Sequence, residues 1–178
     1  ERAPRRIAVL KPLKLIIDNY PKDSEEECLA PNHPQKPEWG KRAVPLSRII
    51  YIERNDFMEI PAKSYFRLSP GVEVRLRYAY IVKCVSVVKN ANGEIEEIHC
   101  TYDPDTKSGT TGAETRKVKG NIHWLSASHA RLAEVRLFDR LFADPHPDAG
   151  GKDYKAFLNP HSKEIITAYL EPVLSEVQ

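Results

Sequence analysis

Across residues 71–88 apolar and polar positions alternate with a period of two. Val72, Val74, Leu76, Tyr78, Tyr80, Val82 and Cys84 fall on one side, Glu73, Arg75, Arg77 and Lys83 on the other. The pattern predicts one long strand with a core side and a charged side, on which Arg75 and Arg77 form a fork for an anion. Shorter runs of the same kind surround it. An apolar run at 7–20 is cut by Pro12 into two short strands, 44–54 supplies another, and 55–70 leads through one more to a turn at Pro70 and Gly71. Asn92 and Gly93 mark a hairpin whose return strand is 94–103. Strand patterning resumes over 118–142, with Glu134 and Arg136 alternating against Val135 and Leu137, and again over 164–174.

Between these runs lie segments rich in turn formers. Residues 21–45 carry prolines at 21, 31, 34, 37 and 45 and are expected to form an ordered connector; 103–116 is expected to be a mobile loop. No helix longer than two turns is predicted. Many short strands, regularly spaced turns and 14 prolines point to all-β barrels or sandwiches.

Charge sharpens the picture. The chain of 178 residues has a net charge of only +2, yet 61–89 holds Lys63, Arg67, Arg75, Arg77, Lys83 and Lys89 against Glu73 alone. A polyanion would therefore be held by a local patch and not by a global field. Tyr65, Phe66, Tyr78 and Tyr80 interleave with these cations, the combination that holds single-stranded RNA by stacking and phosphate contact. Tyr78 and Tyr80 are expected in the core by parity, whereas Tyr65 and Phe66 are adjacent, so one must face out. Three cysteines, Cys28, Cys84 and Cys100, show no CxxC spacing and read as reduced thiols of a cytoplasmic protein. No run is long enough to span a membrane. There is no Gly-rich phosphate loop, GxSxG or HExxH motif. His123 and His129 suit no common metal spacing and are expected to be structural or surface residues, and Asp103 before Pro104 is ordinary turn chemistry. The chain opens with Glu1 and its only methionine is Met58, as expected of a piece of a longer protein.

Several longer motifs, in order, carry a resemblance: PNHPQKPEWGKR at 31–42, VPLSRIIYIERNDF at 44–57, GVEVRLRYAYIVKC at 71–84, EIHCTYDPDT at 97–106, KVKGNIHWLSASHA at 117–130 and EVRLFDRLF at 134–142. Together they resemble the C-terminal anticodon-binding region of bacterial-type glutaminyl-tRNA synthetases over nearly the whole chain, KVKGxIHW with a following SxxHA being the most specific. The resemblance implies two antiparallel β-barrels, one inserted in the other: 1–24 and 123–178 form a proximal barrel, expected to be incomplete, and 25–122 a distal one. It implies that these barrels read the anticodon of glutamine tRNA. By position, Arg5 matches a contact to the middle base, Arg67 one near the third, and Arg75 and Arg77 the pair at the first base and its phosphate, with Asn32 and Lys63 as supporting contacts. Relatives carry amide or basic side chains at 64 and 66, where this chain has Ser64 and Phe66. In that family a class I catalytic domain with HIGH-type and KMSKS-type motifs uses ATP with magnesium. Neither motif occurs here, so this fragment is expected to be inactive alone, to need no cofactor of its own and to be a cytoplasmic monomer. Two alternatives stand beside this reading. One is a ribosomal-RNA-binding barrel, against which the APRR arm and the SxxHA block speak; the other is a small-molecule or enzymatic barrel with Asp103, Asp105 and His123 at its mouth.

Overall fold

The structure, a computed structural model, describes residues 2–176; Glu1 and Gln178, on which expectations about the ends of the chain rest, lie outside them. Its strands are β1 (Ala8–Val9), β2 (Pro12–Ile17), β3 (Glu26–Pro31), β4 (Lys41–Leu46), β5 (Ile49–Glu53), β6 (Glu73–Leu76), β7 (Ile81–Lys89), β8 (Ile95–Asp103), β9 (Gly120–Ile122), β10 (Trp124–Ser126), β11 (Arg131–Phe138) and β12 (Lys163–Leu170), with one short helix, α1 (Thr111–Thr115), and several single 3-10 turns. The expected all-β class holds.

Seven strands form one mixed sheet in the order β10-β5-β2-β8-β7-β6-β9, and β3 and β4 pair as a separate hairpin. Alternation explains both. In β2 Leu13, Leu15 and Ile17 are buried, in β5 Ile50 and Ile52, in β6 Val74 and Leu76, while the hairpin turns Cys28, Ala30, Val44 and Leu46 into the same core. Sheet and hairpin thus wrap a single apolar interior that also takes the whole of Trp124. A smaller sheet of order β1-β12-β11 stands beside it, joined to it by a near-parallel stack of Tyr51 on Tyr169 with ring centroids 4.2 Å apart. Hydrogen-bonded sheets change over between Val9 and Pro12 and again after Ser126, so β2 and β10 both belong to the large sheet.

Three sequence expectations are corrected. Residues 71–88 are not one strand: β6 ends at Leu76, the chain reverses over 77–80, and β7 runs back with Glu73 opposite Lys83 and Val74 opposite Val82. The turn is closed by Leu76 N–H donating to the Tyr80 carbonyl at 2.8 Å, and Tyr78 takes a φ of 66°. Val72 is 40% exposed and leaves the core side, while Tyr78 is half-buried and only borders the core. Lys83 consequently lies beside the start of β6 and not a strand's length beyond Arg77. The proline-rich connector at 21–45 is in fact a β-hairpin. Pro31 ends β3 and Pro45 lies in β4; the hairpin is only two strands wide, so each strand keeps an open edge where a missing N–H costs no ladder bond. Within 103–116, expected as a loop, a 3-10 turn at Pro104–Thr106 and helix α1 are built.

Candidate nucleic-acid interface

Three segments distant in sequence meet at one cleft. The N-terminal arm is pinned to the β3–β4 hairpin: the Arg5 N–H donates to the Asn32 carbonyl at 2.6 Å, and Arg6 Nη1 donates to Asn32 Oδ1 at 3.0 Å. Asn32 in turn donates from Nδ2 to the Trp39 carbonyl at 3.0 Å, so its side chain is committed to holding this junction. From β4, Arg42 enters almost buried and forms an ion pair at 2.6 Å with Glu171, whose side chain is 2% exposed and also accepts the Ile7 N–H. The turn after β6 approaches from the opposite side. Its Arg77 backbone is held twice, by its N–H on the Ile122 carbonyl at 2.9 Å and by Trp124 Nε1 donating to its carbonyl at 3.0 Å. The result is a cleft of about 380 Å³ lined by Arg5, Arg6, Pro34, Arg42, Arg77 and Tyr78. Glu171 neutralises Arg42, whereas Arg77 is exposed and makes no ion pair among the described residues.

Arg75 points elsewhere. Its guanidinium donates to the carbonyls of Thr106 at 2.7 Å, Ala113 at 3.3 Å, Arg116 at 3.4 Å and Ala79 at 3.4 Å, and to Ser108 Oγ at 3.3 Å. Burial holds its pKa below the ordinary arginine value. These contacts tie the loop 106–116 to β6. The expected fork of Arg75 and Arg77 is therefore not formed, because β6 stops between them and the turn carries Arg77 to another hollow.

A second basic face lies on the segment 61–67 and the approach to β9. Lys63 is exposed and without an ion pair among the described residues; Arg67 is paired with the buried Asp56 and still half-exposed. Phe66 is the member of its pair that faces out, 53% exposed with Lys119 Nζ 5.1 Å from its ring centroid, while Tyr65 is half-buried and donates to the Asn55 carbonyl. Gly120 explains how the two strips approach: a Cβ there would lie 2.4 Å from the Phe66 carbonyl and 2.6 Å from Val74 Cγ1. Between this face and the cleft sits His123, whose pKa is lowered by burial, with Glu53 opposing and Arg77 and Arg67 adding to the shift.

Residues 3–103 match the family model described as the anti-codon binding domain of class I tRNA synthetases (E and Q), and residues 121–178 match a second model of the same description. The chain belongs to this family. It is 67% identical over 178 residues to the glutamine–tRNA ligase of Nitrosomonas europaea, all of this chain aligning with 32% of that protein. The corresponding ligases of Cupriavidus taiwanensis and Bordetella bronchiseptica are 63% and 54% identical over 177 and 175 residues, covering 99% and 98% of this chain and 30% of each relative. The chain thus spans about a third of the length of the curated relatives it matches.

Several site components of this anticodon-binding family member escape sequence reading. Arg6 and Arg42 carry no pattern that marks them, since one follows Arg5 in a basic run and the other sits among prolines. Lys107, from the expected loop, is pinned to Glu26, which also accepts from Tyr20 Oη at 3.1 Å and Tyr80 Oη at 3.0 Å. Despite the burial that opposes it, Glu26 titrates below the usual carboxylate range because Lys107 and both tyrosines donate to it. Among the described residues no three His, Cys, Asp or Glu side chains are placed to hold a metal, and no helix is long and apolar enough to cross a membrane.

Proposed function

We propose that this chain is the anticodon-reading part of a glutamine–tRNA ligase, and that it holds the unpaired anticodon of glutamine tRNA in the cytoplasm as a monomer. One observation carries the reading: the cleft that gathers Arg5, Arg42 and Arg77 from three remote segments, in a chain whose motifs match that family in order. Arg5 serves the middle base, with Asn32 fixing the arm that presents it. Arg77 serves the first base and its phosphate, and Arg75 supports that site by holding the loop 106–116. Arg67, oriented by Asp56, serves the third base, with Lys63 on a neighbouring phosphate. The ligation itself uses ATP with magnesium in the parent protein; this chain's sequence has no Gly-rich phosphate loop, and among its described residues no three His, Cys, Asp or Glu side chains are placed to hold the metal.

The test is binding of the 178-residue chain to the anticodon stem-loop of glutamine tRNA, to the same loop with each anticodon base replaced, and to a non-cognate loop. Preference for the glutamine loop is expected, with affinity falling as salt rises by a log-log slope of roughly −0.7 per phosphate contacted. Equal binding to all loops, or an affinity indifferent to salt, overturns the reading.

A further inference from the structure

Tyr78 stands between two hollows. On one side is the cleft with Arg5, Arg42 and Arg77; on the other is a hollow of about 560 Å³ lined by Leu29, Lys41, Lys107 and Gly109, and Tyr78 and Pro31 border both. Its backbone is the second unusual feature. A φ of 66° is a left-handed conformation that a bulky residue adopts at a cost, and such strain persists only where the surroundings fix it. They do so here. The Leu76 N–H to Tyr80 carbonyl bond and the two bonds to the Arg77 backbone, from Ile122 and Trp124, clamp the turn on both sides. Tyr20, Tyr80 and Tyr102 pack against one another or donate to Glu26, but no hydrogen bond or ring contact of the Tyr78 side chain occurs among the described residues. Part of the ring lies against the core and the rest remains open.

Each hollow combines cations with an apolar wall: Arg5 and Arg77 with Pro34 on one side, and on the other Lys41 with Leu29, beside Glu27 and a Lys107 that is paired with Glu26. That composition suits an unpaired base, which needs a flat apolar partner, together with a phosphate, which needs a cation. We propose that Tyr78 is the partition between two nucleobase seats, stacking on one base and keeping its neighbour splayed into the second hollow. This inference rests on the anticodon-reading role and adds to it an aromatic positioning residue and a second seat.

The experiment places 2-aminopurine at each of the three anticodon positions of the glutamine stem-loop in turn and titrates the wild-type chain, Tyr78→Phe and Tyr78→Asn. Asn tolerates the left-handed turn but has no ring. Wild type and Tyr78→Phe are expected to quench the probe at the one position that stacks on the ring and to brighten it at the adjacent position, where the splayed base is unstacked. Tyr78→Asn should lose that quenching and bind about 5- to 150-fold more weakly, the range to which a base–aromatic stack of about 1 to 3 kcal/mol converts. Wild-type binding without quenching at any position overturns the partition, as does Tyr78→Asn binding as tightly as wild type. Should Tyr78→Asn fail to fold, which a thermal melt would show, the wild-type quenching pattern still decides. A wild-type chain that binds no stem-loop at all removes the anticodon-reading role and the partition with it.

Discussion

At the scale of single residues, Gly120 is where backbone geometry and motif meet. The glycine of KVKGxIHW lies under the Phe66 carbonyl with no room for a methyl group, since both near neighbours of a Cβ would sit well inside contact distance. Gly120→Ala must therefore push the 61–67 strip away from β9. We expect a loss of about 1 to 3 kcal/mol in a urea melt, the usual cost of overpacking, with weaker RNA binding through the displaced Arg67 and Phe66. The motif is recognisable in the sequence, but the reason for its glycine is not, because it meets Val74 only through the parallel pairing of β6 with β9 and Phe66 only through the folded path of 61–67, both far away in the chain. By contrast Phe66 itself is legible: two adjacent aromatics on an extended segment cannot both face in, and it is Phe66 that is exposed.

At the scale of elements, alternation locates most strands and misses one reversal. β2, β5, β8 and β11 fall where the period-two runs lie, and the Asn92–Gly93 turn is where the hairpin closes, with Gly93 at a φ of 82°. The turn at 77–80 is invisible because it contains no glycine, proline, asparagine or aspartate, and because the buried even-numbered positions resume in phase beyond it: Val74 and Leu76 before, Tyr80 and Val82 after. Parity cannot distinguish a strand from a reversal that preserves parity. The hidden turn separates the tasks of two arginines that the sequence places together. Arg75→Ala removes a cation bonded to four carbonyls and a hydroxyl and is expected to cost about 2 to 3 kcal/mol. It should also speed amide exchange across 106–116 and weaken all RNAs alike. Arg77→Ala, exposed and unpaired, should leave the melting temperature close to wild type and alter preference at one anticodon base. Melts, hydrogen exchange and stem-loop titrations on the two variants check the split; Arg77→Ala with unchanged base preference would return that side chain to the solvated surface.

At the scale of the whole molecule, the small sheet and the cleft depend on one buried ion pair. Glu171 follows β12, Arg42 lies in β4 and Ile7 precedes β1, and a single carboxylate serves the other two. Arg42→Ala leaves that carboxylate buried with only the Ile7 N–H, and a loss of about 3 to 5 kcal/mol is expected from urea unfolding. Replacing both partners, Arg42→Met with Glu171→Leu, should recover part of this and not all, since the Ile7 N–H then lacks its acceptor. None of this is readable from the sequence, where the partners lie far apart in unrelated patterns. The arrangement of sheets also sets an order of events on the ribosome. Every strand of the large sheet has been synthesised by Ser126, so that sheet can close while the rest of the chain is still being made. Ala8 cannot, because its partner is Leu170. At about 5 to 20 residues per second β1 waits roughly 10 to 30 s for its partner, whereas the arm that carries Arg5 meets its anchor as soon as the β3–β4 hairpin is made.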